Sequence, residues 1–222
     1  MADHMYKLSE IPKKQRLAHF WEYYKVPAIF TAVIAVIIIS FIYSIFLAPK
    51  PDASVLFISS GVETLESFEM LEEELHSVTK DYNGDKKTTI DLNTVILDSS
   101  NEIDFEHYTA ASQKLTATLA SDAYIIQIVD EHMFDYLKNE EIVGTYKEFT
   151  GYNTEKSEDE LVKIPLSALS VFEKSPALLT NDYYITIRDR YSSHIEGNKR
   201  KTKNYENHID MFAEIAGFEK IS

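Results

Sequence analysis

The chain contains no cysteine, which excludes a disulfide framework and any thiolate metal site. It is also short of cations once past its N-terminus. Residues 1–50 hold six Lys/Arg against three Asp/Glu, whereas residues 51–222 hold sixteen against thirty-three. A region with that net charge of −17 repels phosphate backbones, so neither DNA nor RNA is an expected partner. Signatures of catalysis are missing as well: Gly-x-Ser-x-Gly, the phosphate-binding P-loop and His-Glu-x-x-His do not occur. Among the scattered histidines, Glu106-His107 and Glu131-His132 are adjacent acid–histidine pairs of the outer region. Neighbours one residue apart on a helix point away from each other, so these read as surface positions. Asp81-Tyr82-Asn83-Gly84-Asp85 begins like a calcium loop, yet Lys86 stands where the glycine belongs and Leu92 where the bidentate Glu belongs. It reads as a turn. The expectation is a non-enzymatic protein with no catalytic residue, no metal and no cofactor.

What the sequence has in plenty is one long apolar run. Residues 26–49 (VPAIFTAVIAVIIISFIYSIFLAP) carry no charge. About twenty such residues cross a hydrocarbon core of about 30 Å. A cleaved signal peptide has a shorter apolar region of roughly 7–15 residues, so an uncleaved anchor is expected. Lys7, Lys13, Lys14, Arg16 and Lys25 precede the run and only Lys50 follows it closely. The positive-inside tendency therefore puts the N-terminus in the cytoplasm and residues 50–222 outside the cell. Leu17, Phe20, Trp21 and Tyr24 recur at i, i+3, i+4, i+7 and share a helix face. Residues 1–25 thus form a basic, amphipathic cytoplasmic segment, with Trp21, Tyr23, Tyr24 and Lys25 at headgroup level.

The outer region, residues 50–222, reads as one acidic α/β domain, long enough for a real core. Residues 52–58 (DASVLFI) form a continuous apolar run suited to a strand buried on both faces. Leu65, Phe68, Leu71, Leu75 and Val78 then recur at helical spacing over 62–79. Residues 88–97 alternate as a half-buried strand, 106–120 form a second helix, 123–129 (AYIIQIV) a second buried strand, and 131–138 a short helix. This β-α-β-α-β-α order predicts a mostly parallel sheet flanked by helices. Farther on, 153–160 read as a loop, 167–173 as short helix and 183–188 as a strand. Residues 189–203 are polar, and a last helix carries Tyr205, Ile209, Phe212 and Ala216 on one face before Gly217 ends it.

Ligands of parallel α/β proteins gather at the carboxyl ends of the strands, where helix N-termini offer free N–H groups. Ser59, Ser60 and Gly61 follow the first buried strand, and Asp130 ends the third. These four are the ligand-binding candidates, with helix capping as the plainer role for Ser and Asp. Lys199, Arg200, Lys201 and Lys203 form the one basic cluster of the outer region, suited to an acidic partner, an anionic lipid or a cell-wall polymer.

Two stretches carry a resemblance. Residues 17–25 (LAHFWEYYK), followed directly by the apolar run, resemble the start of small single-pass envelope proteins of low-GC Gram-positive bacteria. Residues 112–137, together with Ile164-Pro165-Leu166 and Tyr184-Ile185-Thr186-Ile187, resemble the type 2 periplasmic-binding fold of solute-binding proteins. The likeness is one of pattern: a helix bearing Lys-Leu-x-x-x-Leu, a strand ending in Asp, then a short helix. One departure is Asp122-Ala123, where that pattern commonly has Gly-Asp. The resemblance implies a periplasmic-binding-protein-like sheet and a binding or accessory role beside a membrane protein complex. Capture of a small ligand for a transporter is the alternative, and an envelope hydrolase a distant third.

Overall fold

A computed structural model of the chain describes residues 16–43, 50–61, 65–97, 105–173, 178 and 182–221. They fall into two compact units, residues 1–49 and 50–222.

The first unit is built around helix α1 (Arg16–Ile42). Among the described residues this is the one helix long and apolar enough to cross a membrane; its window Lys25–Ile42 has a mean hydropathy of 2.4 and buries nothing against protein. Twenty-seven residues at about 1.5 Å each give roughly 40 Å of helix. Pro27 lies inside it and has no N–H to give the preceding turn. Four residues on, the Thr31 hydroxyl donates to the Pro27 carbonyl at 2.8 Å. Trp21 and Lys25 are exposed. Tyr23 and Tyr24 belong to α1, but their side chains, like residues 1–15 and 44–49, lie outside the described set.

The second unit is a sheet between two layers of helix. Strands β1 (Ala53–Ser59), β2 (Ile90–Ile96) and β3 (Ile126–Asp130) are parallel, with β1 between the other two. Helices α2 (Leu65–Val78) and α3 (Phe105–Ala120) connect them, and α4 (Glu131–Asn139) follows β3 at once. A two-residue strand β4 (Tyr152–Asn153) stands apart. The main sheet is completed by β5 (Ile164–Pro165) and β6 (Tyr183–Ile187), in the order β2-β1-β3-β6-β5. Strand β6 runs antiparallel to both neighbours, so four strands of five share a direction and the sheet is mixed but mostly parallel. After β6 come α5 (Lys199–Ala216) and β7 (Glu219–Lys220), which pairs with β4.

Side chains alternate across a strand, and β1 shows what this achieves. Val55 and Phe57 pack with Leu71 and Leu75 of α2 and with Tyr205, Ile209 and Phe212 of α5. Leu56 and Ile58 pack on the opposite face with Leu115 and Leu119 of α3 and Met133, Phe134 and Leu137 of α4. An uninterrupted apolar run was required because both faces of β1 are covered.

Three expectations need correction. Residues 123–125 are not strand: Asp122 has a positive φ of 55°, turning the chain, and pairing starts only at Ile126. The expected helix at 167–173 is two 3₁₀ turns, Leu166–Ala168 and Ser170–Phe172. Residues 199–203 belong to α5, because the Asn198 side chain accepts from the Arg200 and Lys201 N–H groups and starts the helix there. The small β4–β7 sheet has no counterpart in the pattern of hydrophobic residues.

Candidate functional site

The topology brings Ser59, Ser60, Gly61 and Asp130 to the carboxyl edge of adjacent strands β1 and β3. There they meet one another. Asp130 Oδ2 accepts from the Ser60 N–H at 2.5 Å and the Ser60 hydroxyl at 2.6 Å, across seventy residues of sequence. Its other oxygen accepts from the Met133 N–H at 2.8 Å and so caps α4. Ser59 is fully buried; its hydroxyl accepts from the Gly61 N–H at 2.9 Å and shares a 2.9 Å hydrogen bond with Tyr183. Only Gly61 of the four is exposed. The carboxylate, the hydroxyls and the nearby amides are thus engaged with each other.

Beside this cluster Lys163 completes the edge. Its ammonium bonds both Glu131 oxygens at 2.6 and 2.7 Å and lies over the rings of Tyr184 and Phe134 at 4.2 and 4.5 Å. The hydrogen bond from Lys163 holds the Glu131 carboxyl below its ordinary pKa. Tyr183 and Lys163 were not singled out from sequence. Tyr183 reads as an ordinary strand aromatic, and Lys163 lies thirty-two residues from its acid.

A larger cleft lies elsewhere. It has a volume of about 820 Å³ and is lined by, among others, Glu148, Tyr152, Arg190, Tyr205, Glu206 and Asp210. Glu148 comes from the 3₁₀ turn Tyr146–Phe149, and α5 supplies Tyr205, Glu206 and Asp210. Burial raises the Glu148 pKa above the ordinary carboxyl value. Burial, reinforced by Glu148, also pushes the Tyr205 phenol up, and that hydroxyl donates to the Arg188 carbonyl at 2.9 Å. The Arg190 guanidinium sits 5.7 Å from the Tyr205 ring centre, and the Tyr152 hydroxyl donates to Asp210. These residues come from three separated segments with no spacing rule among them, and Tyr205 reads in sequence only as part of a core stripe. A third, shallow depression of about 570 Å³ lies along the outward face of α3, lined by Tyr108, Ser112, Thr116, Ala117 and Ala120 among others.

At the opposite, amino edge of the parallel strands the polar groups build two clamps. Arg188, 5% exposed, donates to the Leu119 carbonyl at 2.6 Å, to Asp122 at 2.9 Å and to the Ser192 carbonyl at 2.9 Å. Burial pulls the guanidinium pKa down, and Asp122 and Asp189 oppose that pull. His208, 1% exposed, accepts from the Ser54 N–H through Nε2 at 2.9 Å, and its Nδ1 lies 2.7 Å from the Asn204 carbonyl. A carbonyl only accepts, so Nδ1 carries the proton and the ring is neutral. Burial lowers its pKa.

The Asp81–Asp85 stretch is a turn whose carboxylates are spent on its own backbone: Asp81 accepts from Gly84 and Lys86, and Asp85 from Lys87. Among the described residues no group of three or more His, Asp or Glu is placed to hold a metal ion. Glu106, His107, Glu131 and His132 are all exposed. Lys199, Arg200, Lys201 and Lys203 are exposed on the first turns of α5. No protein-family model matches the chain, and no curated protein or solved structure matches it.

Proposed function

We propose that this is a membrane-anchored, non-enzymatic module that holds its α/β domain outside the cell and serves a membrane protein complex as an accessory subunit. One observation carries the preference for a protein partner over a captured solute. The edge where a parallel α/β sheet receives ligands has its candidate groups tied to one another, with Asp130 accepting from Ser60 and Met133 and Ser59 bonded to Tyr183. A solute binding there would have to break those bonds without gaining from them. Residues 50–222 also form one compact unit, and its described residues build one main sheet rather than two lobes around a ligand. The uncharged outward face of α3 is where we place the partner contact. A photo-crosslinking side chain at Thr116, in cells expressing the full chain, should trap one membrane protein, while the same group at Glu72 on α2 should not. Equal or absent trapping at the two positions would sink the partner reading.

The second reading is solute capture, now in the cleft beside Glu148 rather than at the strand ends. The cleft's volume and mixed aromatic and charged lining favour it. A thermal-shift screen of the detergent-solubilised chain against amines, amino acids, sugars and anions decides between the two, since a ligand of the native state raises the melting temperature by mass action. The accessory role predicts no shift with any class.

A further inference from the structure

The charges of the outer unit are unevenly spread, with most of its cations at one edge of the sheet. At the amino edge of the parallel strands lie the leading segment 50–52, the connections 79–89, 121–125 and 140–145, and residues 188–203. Contacts hold them together there: Asp52 accepts from the Tyr82, Asn83 and Thr89 N–H groups, Arg188 bonds Ile125, Leu119 and Asp122, and Asp189 donates to Ile142. These segments carry ten Lys/Arg and eight Asp/Glu, while the rest of residues 50–222 carries seven and twenty-five. Five of the eight acids at this edge are engaged by nearby protein groups. Asp52, Asp81, Asp85 and Asp189 accept from backbone N–H groups, and Asp122 is shared by Arg188, His194 and Lys201. Lys199, Arg200 and Lys203 are exposed and make no ion pair with a described residue.

Helix stability does not account for those three cations. They stand in the first turns of α5, where the helix dipole favours acids and where this helix has none. The same edge is where the chain arrives from the apolar helix, since Lys50 leads straight into β1. We infer that the amino edge of the sheet, through Lys199, Arg200 and Lys203, rests on an anionic phospholipid surface and turns the more acidic remainder of the unit away from it. Lys/Arg side chains close to a membrane surface are attracted by acidic headgroups over about a Debye length. The covalent link to the apolar helix enters the outer unit at that same edge, through Lys50. This inference rests on the anchoring reading.

The absence of cysteine allows a clean test with single labels. The full chain is reconstituted in vesicles of phosphatidylcholine, with and without phosphatidylglycerol, carrying a fluorophore at Asn204→Cys or at His132→Cys. Headgroup-attached quenchers then report which position lies near lipid. Quenching at 204 should rise several-fold with phosphatidylglycerol and be lost in about 0.5 M salt, while quenching at 132 stays low. The triple substitution Lys199→Glu, Arg200→Glu, Lys203→Glu should abolish the dependence on lipid charge yet leave flotation with the vesicles intact. Quenching at 204 that ignores phosphatidylglycerol, as expected if the patch serves an acidic protein instead, overturns the inference. So does equal quenching at the two positions. A chain that fails to float with vesicles at all overturns the anchoring reading, and the inference with it.

Discussion

The two edges of the central sheet spend their polar residues differently. At the carboxyl edge, Ser59, Ser60, Asp130 and Tyr183 satisfy one another through short side-chain and backbone contacts. At the amino edge, buried Arg188 and His208 fasten α5 and its approach to the strands, while the surplus cations face solvent. Position in an α/β fold thus nominates a binding edge, but the hydrogen-bond inventory decides whether anything is left there to bind. Here the candidate groups described at the edge usually occupied by ligands are already hydrogen-bonded to protein.

The sharpest way to break this contrast is to remove a clamp. Arg188→Ala takes from the nearly buried Asp122 its one buried partner, leaving it the exposed His194 and Lys201, and strips two carbonyls of a donor. Losing one member of such a pair costs about 3–5 kcal/mol, a large part of the roughly 5–15 kcal/mol that holds a domain together. Denaturant unfolding should show that loss. A cost below about 1 kcal/mol would mean that the amino edge is not what fastens α5.

His208 should reveal itself through pH. Its native pKa is depressed below the ordinary 6.5, so between those two values the unfolded chain binds a proton that the native ring refuses. Stability therefore falls as pH drops below about 6.5 and is fully recovered above it. His208→Gln should flatten this stretch of the melting temperature against pH profile. An unchanged slope would show that other groups set it.

The carboxyl edge should give the smallest effects. Ser60→Ala and Asp130→Ala are each expected to cost roughly 0.5–2 kcal/mol, the scale of a lost cap. Because Ser60 bonds to Asp130, the double variant should cost less than the sum of the singles. Strict additivity would mean that the two residues do not share a site.

How much of this was legible beforehand follows from distance along the chain. The apolar run inside α1, the both-face burial of β1 and the cap at Asp130 are local patterns, and each can be read from a few neighbouring residues. The pairing of Ser60 with Asp130 needed only the rule that parallel strands end on one edge. The antiparallel insertion of β6 between β3 and β5 was not legible, because alternation in residues 183–187 gives no direction. Nor was the cleft around Glu148, whose walls come from residues 145–152, 189–196 and 205–210. His208 looked like any scattered histidine. Only the packing of α5 over the start of β1 makes it a buried acceptor for Ser54.

The measurement that bears most directly on the anchored, outward-facing module is protease access in wall-stripped cells expressing the full chain. On the proposed topology, external protease should remove residues 50–222 and leave a membrane-protected fragment that keeps the cationic flank, as the positive-inside tendency predicts. Full protection of residues 50–222 with loss of the N-terminal epitope would invert the topology. Release of an intact outer domain beginning near Pro49 without protease would show the helix to be a cleaved signal, and the anchored module would be contradicted.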